Sequence, residues 1–394
     1  MNPTGSNITN LFPSVLSGPR ASVDRSVRLE AFNPVAGSQR TNFNRLETKV
    51  NGSHVNAVLQ CLATARDPSY LKNQLGTAYI GATKSFDHLD SEDILQNIET
   101  TLNSNQEEQV NLVAELFKIL ILLQEPNEPY SMIPINPTAL YHMVRVHSEE
   151  TDPADCLELF LNQLAMRYPR PLPLDDEAIE SRLPRNHHIQ QAFGIRERIQ
   201  LTCQETDYCT THPRYTEENA WMLQVGVGHN DESESMTTLV RSTVTLDYQD
   251  EYYCSRCGKE TKTSVLTTGI THLPEVLVIN LDFPTNAYTD DTLKEFHVRL
   301  FDPRRYLDLK DCVFPQSNEQ VMYSLQSLVT IAPPRSGNGF DYIALTRCGD
   351  TWHVCQPDGI KYWTPSLETD AEWIEFRRDW GIAKLLFYER VKTV

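Results

Sequence analysis

Nowhere in the 394 residues do 18 apolar residues follow one another. The longest apolar segment, Leu112 to Leu123, is interrupted by Glu115 and Lys118. A transmembrane helix needs about 20 such residues, so no membrane span is predicted. Positive charge is scarce as well: 35 lysines and arginines stand against 53 acidic side chains, a formal net charge of −18. Counterion release on a phosphate backbone needs clustered cations. The balance therefore argues against direct nucleic-acid binding and favours protein partners with basic surfaces. No secretory signal is legible at the N-terminus, and nine cysteines without one fit an intracellular, reducing compartment, cytoplasm or nucleus. There, paired cysteines hold metals more often than they form disulfides. No internal repeat, linker or acidic nuclease motif is found.

What remains is an ordinary globular composition, 40% hydrophobic and 22% charged. The first 45 residues are rich in Ser, Asn and Pro, with Arg20, Arg25, Arg28, Arg40 and Arg45 and few acids. They read as a solvated tail, with an organelle transit peptide as the weaker alternative. The expected organisation is a flexible tail over 1–40, one folded unit over 41–391 and a short tail over 392–394. Residues 54 to 65, Leu112 to Gln124 and Asp155 to Arg167 read as helices, the last preceded by the helix-start signal Glu-Glu-Thr-Asp-Pro. From about residue 198 the pattern changes to strands. Ile199–Thr202, Trp221–Val227, Ser242–Leu246, Lys262–Gly269 and Val276–Asp282 come first. Tyr323–Ile331, Asp341–Arg347, Trp352–Cys355 and Ala383–Tyr388 follow. Helices first and strands later predict an α+β fold with a mostly antiparallel sheet.

The strongest chemical signal is Cys254-Ser-Arg-Cys257-Gly258-Lys259 between two strands. Two cysteines at this spacing suit half of a tetrahedral zinc site. Cys203 and Cys209 follow the strand at 199–202 and offer the other half, although five intervening residues exceed the usual two to four. Cys209-Thr-Thr-His212 is a tighter alternative pair, so Cys203 and His212 compete for the fourth position. Four protein ligands leave no open position for a catalytic water, so the zinc would be structural. A reduced cysteine cluster without metal is the plainer reading.

Five segments in order carry a family resemblance. Val50-Asn-Gly-Ser53-His54-Val-Asn56-Ala-Val-Leu59-Gln60-Cys61-Leu62 resembles the opening of the ubiquitin-specific proteases, Gly-Asn-Thr-Cys-Tyr-Met-Asn-Ser followed by an aliphatic pair and Gln-Cys-Leu. Asp155-Cys-Leu-Glu-Leu-Phe160 resembles their Asp-Ala-x-Glu-Phe-Leu box. Cys254 to Cys257, then Ile270-Thr-His-Leu-Pro-Glu-Val-Leu-Val-Ile-Asn280, resembles their zinc knuckle and following strand. Tyr323-Ser-Leu and Leu385-Leu-Phe-Tyr-Glu-Arg390 resemble two late strands. The resemblance implies a papain-like fold with an N-terminal helical part, an antiparallel sheet part and a zinc-knuckle hairpin carrying Cys203, Cys209, Cys254 and Cys257.

Laid on that pattern, the family's nucleophilic cysteine falls on Ser53. Its histidine in Gly-His-Tyr falls on Asp341 of Gly339-Phe340-Asp341-Tyr342, and its third member on Gln356 of Trp352-His353-Val354-Cys355-Gln356. A serine beside a carboxylate and an amide has no base tuned near neutral pH. The expectation is a pseudo-deubiquitinase, a catalytically degenerate scaffold or subunit in a multi-protein complex. Within the family the chain resembles the pseudo-protease domains of poly(A)-nuclease catalytic subunits, which extends that expectation to an RNA-processing complex. The alternatives are a deubiquitinating hydrolase trapped by serine at its nucleophile position and a non-cleaving ubiquitin-binding module. His54 and His353 are the histidines that could stand in for the missing base.

Overall fold

The computed structural model describes residues 52–65, 116, 119, 120, 123, 137, 140, 141, 144, 152–166, 188–227, 235–244, 247–283, 306–314, 321–332, 341–348, 351–356, 359–363 and 380–391. All lie within one compact unit, residues 39–394. The tails expected over 1–40 and 392–394 fall outside the described residues. So does most of the helix expected over Leu112 to Gln124, although Leu116, Ile119, Leu120 and Leu123 are described and are helical and buried.

Five α-helices have both ends among the described residues: α1 Ser53–Thr64, α2 Pro153–Met166, α3 His188–Phe193, α4 Asp207–Thr211 and α5 Met236–Val244. The strands are β1 Ile195–Cys203, β2 Arg214–Ala220, β3 Leu223–Gly226, β4 Asp247–Cys254, β5 Lys259–His272 and β6 Val276–Asp282, followed by β7 Tyr306–Asp308, β8 Met322–Ala332, β9 Asp341–Cys348, β10 Thr351–Gln356, β11 Gly359–Trp363 and β12 Ile382–Arg390. They form two sheets. The smaller has the order β2-β1-β5-β4; the larger has the order β11-β10-β9-β8-β12-β6-β3, with β7 on β8. Pairing is antiparallel except between β3 and β6, which run parallel.

The larger sheet is covered on both faces, and its sequence shows why. Along β6, Val276 and Val278 face one core with α1 and α2, while Leu277, Ile279 and Leu281 face the other with α5. In β12, Leu385 and Phe387 share the first core, and Leu386 and Tyr388 the second. Strands buried on both faces read as continuous apolar runs. Each fully buried Leu or Phe contributes roughly 1.5–3 kcal/mol, and Leu59, Leu62, Phe160 and Phe193 lock the helical layer to this sheet.

The segment Ser242–Leu246, expected as a strand, is not one over its first residues: 242–244 close helix α5. Met236, Leu239, Val240 and Val244 are its buried residues, a helical rather than alternating spacing. Tertiary packing against the sheet overrides the β-branched propensity of Val-Arg-Ser-Thr-Val.

Candidate functional site

Two places collect chemistry: the head of α1 and the cysteine end of the smaller sheet. At the first, Gly52 is buried and Ser53 half-buried. The backbone N–H of Tyr342 donates to Ser53 Oγ at 3.3 Å. Tyr342 follows Asp341 at the start of β9, so the fold brings the Ser53 and Asp341 segments together. Gln356 ends β10 and is buried, its Oε1 without a hydrogen-bond partner. Among the described residues no hydrogen bond joins the side chains of Ser53, Asp341 and Gln356 to one another.

Both histidines that the sequence offers as a base are buried. His54 is buried beside the Tyr342 ring, centroids 6.4 Å apart, and burial lowers its pKa to about 4, opposed by the Asp152 carboxylate. His353 is buried edge-on to Tyr362, and burial lowers its pKa as well. The neighbouring thiols are inert: burial drives Cys61 well up and Cys355 up to about 12. Tyr141, which the sequence did not single out, closes the N-terminal side. Its hydroxyl donates to Asn56 Oδ1 at 2.5 Å, and its ring would lie 2.8 Å from any Cβ at position 52. A side chain in front of Ser53 would have to displace that ring.

His54 also makes a prediction. Its folded pKa lies below the usual 6.5, so between pH 6.5 and about 4 the unfolded chain binds the extra proton. Stability from this group is complete above pH 6.5 and is lost as pH falls, by up to about 3 kcal/mol at pH 4. His54→Gln should flatten that limb of the stability profile in urea melts taken between pH 7 and 4.5. An unchanged limb would show that His54 titrates normally.

At the second place, Cys203, Cys209, Cys254 and Cys257 lie with all four Sγ atoms within 4.8 Å of one another. Sγ separations are 3.7 Å for Cys203–Cys257, 3.6 Å for Cys209–Cys257 and 4.0 Å for Cys209–Cys254. A tetrahedron with metal–sulfur bonds of about 2.3 Å has edges of about 3.8 Å, so the donor set fits a metal ion of zinc's size. After the five-residue gap from Cys203, Cys209 lies within the single turn of α4. Thr206 caps it by accepting from the Cys209 N–H, and that turn folds Cys209 back toward the knuckle. Gly258, at φ +70°, closes the knuckle by donating to the Cys254 carbonyl. Backbone N–H groups of Cys257 and Arg256 hold the Cys254 thiol down to about 7, whereas bonding to Cys209 pushes Cys257 up to about 12. His212 is exposed, and its Nδ1 sits 3.0 Å from the Tyr208 carbonyl and 2.9 Å from Thr211 Oγ1, outside the sulfur group.

A third polar site went unread in the sequence. Lys384 is buried at a β-bulge in β12, between Ala383 and Leu385. Its Nζ meets Asp152 Oδ2 at 3.4 Å and donates to the Leu281 carbonyl. Asp152 in turn caps α2 through Ala154 N–H at 2.7 Å. A lysine inside Ile-Ala-Lys-Leu-Leu-Phe was the available signal.

Against known proteins, residues 45–388 match the family model described as ubiquitin carboxyl-terminal hydrolase. Among solved structures, the chain is similar in fold to one in the SAGA Ubp8/Sgf11/Sus1/Sgf73 DUB module bound to ubiquitin aldehyde. The TM-score is 0.54 at 14% identity, over 92% of this chain and 72% of that one. No curated protein matches in sequence.

Proposed function

The chain belongs to the ubiquitin carboxyl-terminal hydrolase family, and from that premise we propose that it is a non-catalytic member, a scaffold subunit of a multi-protein complex. One observation carries the reading: the hydroxyl of Ser53 is engaged by a backbone N–H, and the imidazole nearest to it in sequence, His54, is buried with a pKa of about 4. A serine nucleophile needs a base within hydrogen-bond reach whose pKa lies near the working pH. Asp341 and Gln356 put a carboxylate and an amide where the family pattern has its histidine and third member, and a serine hydroxyl is far harder to ionise than a thiol. What the fold keeps is surface: the covered sheet, the helical layer and the cysteine-stapled second sheet.

Cys203, Cys209, Cys254 and Cys257 are the zinc ligands in this reading, and the metal would hold β1, α4, β4 and β5 in one geometry. Among the described residues no helix is long and apolar enough to cross a membrane, and nine cysteines, four of them gathered as a metal-sized cluster, support a reducing, intracellular setting. Protein partners in a larger complex follow from the loss of chemistry. The similar solved structure, a DUB module bound to ubiquitin aldehyde, favours ubiquitin as one partner to test.

The test is a ubiquitin bearing a C-terminal electrophile, incubated with the unmodified chain and with Ser53→Cys. Neither should form an adduct, since the base is missing in both. An adduct or turnover by the unmodified chain overturns the proposal. An adduct by Ser53→Cys alone would instead favour a hydrolase trapped by one substitution. Binding of free ubiquitin, measured by calorimetry on the same sample, separates a ubiquitin-binding scaffold from one that ignores it.

A further inference from the structure

Two threonines of β5, Thr261 and Thr263, share one face of the strand and are buried alike, at 3% and 2% exposure, while Lys262 between them is exposed. Valine, which has the same shape without a hydroxyl, fills the next position on that face, Val265. A hydroxyl taken out of water needs a partner, and these two find different ones. Thr263 donates to the Thr261 carbonyl at 3.3 Å, a bond internal to the strand. Thr261 Oγ1 instead lies 3.2 Å from Cys203 Sγ. Cys203 closes β1 opposite Thr263, so Thr261 reaches it from the diagonal position, one pleat nearer the knuckle. The four sulfurs are unequally supplied with donors. Cys254 receives the backbone N–H groups of Cys257 and Arg256. The nearby cations are turned elsewhere: Lys259 Nζ pairs with Glu205 at 3.1 Å, and the Arg256 guanidinium donates to the His212 carbonyl. Among the described residues, the one partner of the Cys203 sulfur that is not another sulfur is the Thr261 hydroxyl.

We propose that Thr261 is a positioning residue of the metal site: its hydroxyl donates to the Cys203 thiolate, holds that sulfur toward the other three and draws off part of its negative charge. The inference rests on the zinc reading of the four cysteines and adds to it a residue that is not a ligand. A cysteine that binds a metal is deprotonated, so the Cys203 sulfur then has no hydrogen to give and the hydroxyl must be the donor. The change also strengthens the contact. A thiol is a weak acceptor, a poor partner for a hydroxyl this deeply buried, whereas hydrogen bonds to ionised acceptors are roughly twice as strong as neutral ones. Four thiolates around one dication leave two negative charges uncompensated, in a chain that already carries −18. Donors to sulfur spread that charge, and groups in this position commonly change metal affinity 10–100-fold.

The experiment compares the full chain with Thr261→Val, Thr261→Ser and Thr263→Val, each carrying zinc and, in a second sample, cobalt(II) exchanged into the site. Zinc affinity is read by competition with a chromophoric chelator, and the sulfur-to-cobalt charge-transfer absorption reports on the thiolates. Thr261→Val should weaken zinc about tenfold or more and move the charge-transfer band to longer wavelength, because a thiolate without its donor holds its electrons less tightly. Thr261→Ser, which keeps the hydroxyl, should bring both back toward the parent. Thr263→Val removes an equally buried hydroxyl from the same strand face and should leave both readouts as in the parent. Should Thr261→Val not fold, Thr261→Ala against Thr261→Ser gives the same contrast, since the two differ by one oxygen. An unmoved band, an unchanged affinity, or an equal effect of Thr263→Val overturns the proposal and leaves the four ligands standing. A parent chain that takes up neither metal removes the zinc reading and the role of Thr261 together, so the two failures are told apart.

Discussion

Replacing Cys254 by alanine is expected to drop bound zinc from about one equivalent to below half and to open the smaller sheet while the larger one stays folded. The asymmetry follows from where apolar surface is buried. The larger sheet lies between two cores, with β6, β8 and β12 buried along nearly their whole length. The smaller sheet is buried more sparsely, at Thr261, Thr263, Val265 and Ile270 of β5. β2 is exposed or half-exposed at every position, and β1 buries only Ile195, Ile199 and Cys203. Its ion pairs, Arg196–Glu217 and Lys259–Glu205, involve partly exposed side chains and contribute at most about 1 kcal/mol each. Glu197 sits directly opposite Glu218, and burial raises its pKa, so this cross-strand pair works against the sheet. A structural zinc site on these four cysteines would contribute on the order of 10 kcal/mol at neutral pH.

The measurement is amide hydrogen exchange alongside elemental analysis. In Cys254→Ala, protection should be lost in β1, β4 and β5 by two or more orders of magnitude and retained in β6, β8 and β12. A chelator added to the parent chain should reproduce the pattern. Retained protection in β4 and β5 without metal would remove zinc from the account. Uniform loss across both sheets would mean that the two fold as one cooperative unit.

How much of this could be read beforehand depends on whether the determinant was local. The knuckle is four residues long with its own turn glycine, so Cys254 and Cys257 were legible. Cys209 was legible as a candidate, and Cys203 was preferred only slightly over His212, because the wide Cys203–Cys209 spacing makes sense only once Cys209 is placed on the short helix α4. Strand β6 was placed to the residue because its apolar run has no other use. The segment 242–246 misled because β-branched residues say strand, whereas the burial of Met236, Leu239 and Val240, outside the window considered, says helix. The family pattern located Ser53 and Asp341 on segments that do meet. Nothing in it pointed to Tyr141 over Gly52, since that contact joins positions 89 residues apart and depends on a missing Cβ. Asp152 was noticed only as part of a helix start; its second role needed a bulge that no periodicity announces.

That second role gives the last large effect. Asp152→Ala should destabilise the chain by about 4 kcal/mol, whereas Lys384→Met should cost about 1 kcal/mol or less. The two substitutions break the same ion pair, but they leave different things behind. The Lys384 side chain is 6% exposed and that of Asp152 35%. Without Asp152, a buried ammonium keeps, among the described residues, the Leu281 carbonyl alone, and α2 also loses the cap on its Ala154 N–H. Without Lys384, the carboxylate still caps α2 and still reaches water, while methionine fills the apolar space of the lysine stem. Asp152→Asn should fall between the two, keeping a cap acceptor and losing the charge. Urea denaturation at pH 7 reads all three. Equal costs for Asp152→Ala and Lys384→Met would show that the pair contributes as a unit rather than that the carboxylate is needed to keep a buried cation in place. The ordering Ala, Asn, Met from most to least destabilising would tie α2, and with it the position of α1 and Ser53, to one bulged lysine in the last strand.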